Sequence, residues 1–164
     1  MSPNTSSIVL AFAISLCGCS QAVEKPANLP PLFSVAVSVV QTEGPVAGAF
    51  VRLVPTDSSM PWSCGATTDS SGTAVIKTIG KFDGAPAGSY KVTISKLEMT
   101  KAAGTNLSNL DAQPTTTPAD SYDLIDPQFA NPTTTPLELR VEKTAAKVKF
   151  DVGPAVRSER KGPR

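Results

Sequence analysis

Apolar residues follow two rhythms along this chain. One is a single run from Ile8 to Leu16, interrupted only by Ser15. The other is a period of two, the rhythm of a strand with one buried face. It appears first in Phe33-Ser34-Val35-Ala36-Val37-Ser38-Val39 and again in Ala49-Phe50-Val51-Arg52-Leu53-Val54, which stops at Pro55. Thr73 to Ile79 predicts a further strand, and Tyr90-Lys91-Val92-Thr93-Ile94-Ser95 predicts another with Tyr90, Val92 and Ile94 inward. Near the end Leu137 to Glu142 alternates apolar with charged residues, and Ala146 to Val152 repeats the pattern after a short connection, so the two are expected to form a hairpin. No segment carries a helical period.

Turn chemistry separates these runs. Thr42-Glu43-Gly44-Pro45, Thr68-Asp69-Ser70-Ser71-Gly72 and Gly84-Ala85-Pro86-Ala87-Gly88 combine residues that bond their own backbone with glycines that tolerate positive φ. Residues 56–66 form a polar loop holding the only tryptophan, and residues 98–120, rich in Thr, Ala, Asn and Pro, read as a long loop. The spacing predicts an all-β domain, a single seven-strand-type antiparallel β-sandwich over residues 32–153. Residues 154–164 have no apolar face and predict a mobile basic tail.

Composition narrows the chemistry. Apolar residues are 40% of the chain but aromatics only 5%, which suits valine-rich strands joined by Pro and Gly turns. Fifteen Lys and Arg against 14 Asp and Glu leave no field that would recruit nucleic acid. The sequence has no histidine, which excludes Ser-His-Asp and Cys-His nucleophilic schemes and His-ligated zinc. Any hydrolytic activity would have to draw both acid and base from carboxylates.

The run from Ile8 to Leu16 is too short to span a bilayer, which takes about 20 apolar residues, but it suits the core of a signal peptide. Leu16-Cys17-Gly18-Cys19 follows it and resembles the bacterial lipobox. That resemblance implies cleavage after residue 18 and lipidation of Cys19, with residues 19–31 as a Pro-containing tether. No Lys or Arg precedes the run, a departure from the usual export signal. Ser20 behind the anchor, where an Asp would favour the inner membrane, implies an outer-membrane address in the cell envelope. Cys64 would then be the only remaining thiol, and it is expected to be buried.

Three further features admit two readings each. Trp62 suits either stacking on a pyranose or plugging one end of the sandwich, and the plug is the expectation because large aromatics are usually buried. Asp120, Asp123 and Asp126 have the hard oxygens of a calcium site, but without a glycine-containing ligand loop they are expected to cap turns, so no metal and no cofactor is assigned. Arg157, Arg160, Lys161 and Arg164 could meet anionic lipid or simply solvate the tail.

Gly44-Pro45-Val46-Ala47-Gly48-Ala49, Thr67-Thr68-Asp69-Ser70-Ser71-Gly72 and Ala85-Pro86-Ala87-Gly88-Ser89-Tyr90-Lys91-Val92, in that order, resemble the carboxypeptidase regulatory-like domain, a transthyretin-like β-sandwich. Tyr122 to Phe129, followed by Thr135-Pro136-Leu137, looks like the small bacterial lipoproteins built on that domain. The resemblance spans about residues 33–152 and implies an accessory, non-enzymatic role. A purine-pathway hydrolase of related fold depends on histidines, so its activity does not carry over. The expected function is a membrane-anchored envelope lipoprotein with a structural or protein-interaction module. The alternative is a carbohydrate or cell-wall polymer binder, with Trp62, Tyr122 and Phe129 as stacking candidates.

Overall fold

The computed structural model describes residues 24–99 and 121–159. The expected signal segment, Cys19, most of the expected loop at 98–120, and residues 160–164 lie outside them. In chain order the strands are β1 (Leu32–Phe33), β2 (Val35–Gln41), β3 (Gly44–Pro45), β4 (Phe50–Pro55), β5 (Cys64–Thr67), β6 (Thr73–Val75), β7 (Lys77–Thr78) and β8 (Phe82–Asp83). They continue with β9 (Ala85–Pro86), β10 (Gly88–Ser95), β11 (Leu97–Met99), β12 (Ser121–Asp123), β13 (Glu138–Val141), β14 (Ala146–Asp151) and β15 (Ser158–Glu159). A 3₁₀ turn, Pro127–Ala130, lies between β12 and β13.

The chain is nearly all β and sandwich-like. Six strands form one sheet in the order β13-β10-β4-β5-β7-β8, all antiparallel. The second sheet is built on β2, with β14 on one side and β3 and β6 sharing the other. Two small sheets, β1-β9 and β11-β12-β15, complete the described strands. Alternation gives the core. Val35, Val37 and Val39 of β2 are wholly buried, and they join one cluster with Val51 and Leu53 of β4, Tyr90, Val92 and Ile94 of β10, and Leu139 and Val141 of β13. Each such side chain contributes about 1.5–3 kcal/mol through burial.

Four expectations need correction. The segments 137–142 and 146–152 do not form a hairpin: β13 pairs antiparallel with β10, while β14 pairs with β2 in the other sheet. Alternation reports that a strand has one buried face, not which sheet supplies its neighbour. The β2–β14 pair is also parallel, from Ala146 against Val35 to Asp151 against Val40, so the sandwich is not purely antiparallel.

The stretch 73–79 is likewise not one strand. Its first half bonds to β2 and its second to β5, with buried Ile76 at the switch. Its alternation nevertheless survives, since Ala74, Ile76 and Thr78 are all wholly buried. The described part of the tail is also paired: Ser158 and Glu159 lie against Asp123 and Tyr122, and Arg157 Cζ sits 4.3 Å from the Tyr122 ring centroid. The apolar pattern misses this because the pairing uses main-chain bonds and a cation on a ring.

The Asp69–Gly72 turn forms as its residues imply. Asp69 Oδ1 accepts from Ser71 N at 2.8 Å, Ser71 Oγ at 2.6 Å and Thr73 N at 3.0 Å. Gly72 has φ 75°, and a Cβ there would come within 2.7 Å of Val39 O. The turn carries the chain from β5 in one sheet to β6 in the other. The connection from β3 to β4 makes the opposite crossing beside it. Buried Thr68 ties the two together: its Oγ1 donates to Val46 O at 2.6 Å and accepts from Ala49 N at 2.8 Å.

Thr68→Val keeps the shape but leaves a buried carbonyl and a buried N–H without that partner, each worth about 1–3 kcal/mol. The variant is expected to lose about 2–3 kcal/mol in urea unfolding, with a lower midpoint and an unchanged slope. A midpoint equal to that of the parent would contradict the assigned role.

Candidate interaction face

The crossing of residues 73–78 between sheets shapes the outer surface of the molecule. Because Ala74, Ile76 and Thr78 point inward, Thr73, Val75 and Lys77 point out, beside the outward residues of β4 and β5. Together with Phe50, Gly65, Thr67, Asp69 and Gly80 they line an open groove of about 490 Å³. Phe50 stands opposite Thr67, and its ring runs over Gly65, where a Cβ would lie 3.5 Å from Phe50 Cζ. An aromatic ring covering a glycine on the next strand is a common way to protect exposed backbone. Here the ring stays 49% exposed, and Val75 is 52% exposed.

Polar groups frame these apolar ones. Lys77 Nζ and Asp83 Oδ1 form an ion pair at 2.9 Å, with the Lys77 side chain 44% and the Asp83 side chain 74% exposed, a geometry that contributes little stability. The hydroxyl of Ser71 first, and then the Thr73 N–H, hold the Asp69 carboxyl below the ordinary aspartate range. At neutral pH the lining of the groove therefore includes the Asp69 anion and the Lys77 cation paired with Asp83.

Beside the groove, Thr78-Ile79-Gly80-Lys81 closes the β7–β8 hairpin, with Lys81 N donating to Thr78 O at 3.1 Å. Both central residues have left-handed φ, 56° at Ile79 and 68° at Gly80. Glycine adopts this freely, whereas a β-branched residue there is an outlier costing about 1–2 kcal/mol. Ile79 is 42% exposed, so burial of its side chain does not repay that strain. Its N–H donates to Ser63 O at 2.8 Å, which holds the turn against the start of β5.

The residues singled out in the sequence are scattered. Cys19 lies outside the described residues. Trp62 is half-buried, packs against the core cluster and does not line the groove. Tyr122 is half-buried with Arg157 over its ring. Phe129 belongs to the core at 8% exposure, so stacking on a ligand is excluded for it. Asp120 lies outside the described residues, Asp123 is buried in β12, and Asp126 caps the 3₁₀ turn through Oδ1 to Gln128 N at 2.9 Å.

Cys64 is buried, its Sγ 3.4 Å from Thr78 Oγ1, and burial pushes the thiol up from its ordinary pKa. Tyr90 is pushed up by burial and then by the nearby Cys64. Its hydroxyl donates to Pro86 O at 2.7 Å, with Met60 Sδ 3.1 Å away. These groups are interior packing. The sequence did carry a signal for Phe50: with Val51 and Leu53 inward, an aromatic at position 50 must face out.

Compared with protein-family models, with curated proteins and with solved structures, the chain finds no match in any of the three. Among the described residues no helix is long and apolar enough to cross a membrane.

Ile79→Asn places Asn-Gly at the two left-handed positions, the pair most favoured there. Relief of the backbone strain is expected to raise unfolding stability by about 1 kcal/mol, seen as a higher melting temperature in calorimetry. An unchanged or lower value would mean that the isoleucine side chain repays its own strain.

Proposed function

We propose that this chain is a non-enzymatic, lipid-anchored protein of the bacterial cell envelope. Cys19 carries the lipid, and the sandwich-like body is a protein-interaction module of the carboxypeptidase regulatory-like, transthyretin-like type. The observation that carries this reading is the Phe50 groove. Phe50 and Val75 line one concavity with about half of their surface in solvent, and the exposed Ile79 lies in the turn beside it. Exposed apolar groups framed by charge mark protein contact surfaces. The strain at Ile79 supports the same reading, because a strained backbone persists where its geometry serves a function. The lipobox-like Leu16-Cys17-Gly18-Cys19 and the absence of histidine support the anchor and the non-catalytic role. The anchor faces the outer membrane, with Ser20 behind the lipidated residue.

A carbohydrate or cell-wall polymer is the second reading. It is favoured by the Phe50 ring beside the Thr67 and Thr73 hydroxyls and the Asp69 carboxylate, a set that resembles a sugar subsite.

Cys19→Ala is expected to abolish labelling by a fatty-acid probe and to move the protein from the membrane to the soluble fraction. Unchanged labelling and fractionation would sink the anchor. Phe50→Ala removes surface contact and is expected to cost under about 1 kcal/mol of stability. In intact cells it should abolish proximity crosslinking to one defined envelope protein. A crosslink pattern identical to the parent would reject the groove as the contact, and glycan-array binding lost in the same variant would favour the polymer.

A further inference from the structure

Among the described residues, strand β14 ends its sheet with an unpaired edge. Its bonds to β2 start with Ala146 N donating to Ser34 O at 2.8 Å and close with Val152 N donating to Val40 O at 3.0 Å. In a parallel pair, alternate residues face the neighbour, so Ala146, Val148, Phe150 and Val152 use their main-chain groups on β2. Those of Lys147, Lys149 and Asp151 face the other way, where no described strand pairs with them. The remaining outer strands of the two large sheets are shorter. β8 has two residues, β3 two, β6 three and β13 four, against six in β14. Very short edges resist strand addition, and β14 offers the longest of these edges. Val148 and Phe150 are only half-buried beside this edge, at the margin of the core.

Two lysines on an edge normally repel a second strand. Here the third outward residue is Asp151, and that makes one antiparallel register self-complementary. A second copy of β14 can meet the first only with outward residues opposite outward residues. Centring the pair on Lys149 sets Lys149 against itself between two Lys147–Asp151 pairs, and centring it on Val148 sets Lys147 against Lys149 twice. Centring it on Phe150 overlaps Lys149 to Asp151 of each strand and places Lys149 opposite the partner's Asp151 twice, with no like charges opposed. It also sets Phe150 opposite the partner's Phe150 in a close, non-hydrogen-bonded pair, where aromatic side chains interact best.

We propose that β14 is a homodimer interface: two copies of this chain pair antiparallel through β14 about Phe150, joining their β2 sheets into one and covering the half-buried Val148 and Phe150. This surface is separate from the Phe50 groove and does not rest on the reading given to it. The test is sedimentation of the full chain in density-matched detergent. The parent is expected to be a dimer. Lys149→Asp opposes two carboxylate pairs and should weaken association at least about tenfold, while Lys149→Asp combined with Asp151→Lys restores opposite charges and dimerisation. Carbodiimide coupling of mixed ¹⁴N- and ¹⁵N-labelled parent chains should yield mixed-isotope links between Lys149 and the partner's Asp151, a readout that needs no variant to fold. A monomeric parent, a Lys149→Asp form that dimerises like the parent, a doubly substituted form that is folded by circular dichroism yet monomeric, or mixed-isotope links absent from this pair would each overturn the proposal.

Discussion

The sandwich depends on a joint at which the chain crosses between its sheets twice in neighbouring places. Between β3 and β4 it passes from the β2 sheet to the larger one, and between β5 and β6 it returns. The two crossings are sewn together. Gly48 N donates to Thr68 O at 3.0 Å, Thr68 N donates to Ala49 O at 2.8 Å, and the buried Thr68 hydroxyl bonds Val46 and Ala49. Buried main-chain groups need partners, and at a corner where neither sheet ladder reaches, this side chain provides them. With the corner closed, valines of β2 join the inward residues of β4 and β10 in one buried cluster.

The same crossing produces the surface to which a function is assigned. Residues 73–78 keep one alternation while changing partners, so a row of outward side chains runs from one sheet to the next and leaves a concavity against Phe50 and Thr67. The interior is correspondingly unreactive. Cys64 and Tyr90 are both held protonated by burial, and their polar atoms are committed to Thr78 and Pro86.

Much of the fold was legible because alternation is local. Val35, Val37, Val39, Tyr90, Val92 and Ile94 lie on the inner face as their spacing predicts, and the Asp69–Gly72 turn follows from the bonding habits of its residues. The expected hairpin at 137–152 shows where this ends. Both of its strands exist, but four intervening residues carry the chain across the sandwich, and a short connection reads alike in either case. The site was less legible still. Trp62, Tyr122 and Phe129 drew attention as aromatics in loops, yet they lie respectively against the core, under Arg157 and within the core. Phe50 sits inside a strand, where its outward direction follows only from its neighbours.

The sequence by itself determined the β class, the inward face of each strand and the turns, because these depend on side-chain period and on the φ values that each residue tolerates. It also determined the exclusion of imidazole chemistry, since no fold can supply a residue the chain lacks. Tertiary structure alone decided strand partners, the parallel β2–β14 pair, the switch at Ile76 and the groove around Phe50. The physical reason is that main-chain hydrogen bonds are the same for every residue. Which strand lies beside which is settled only when the buried faces of both sheets are packed against each other.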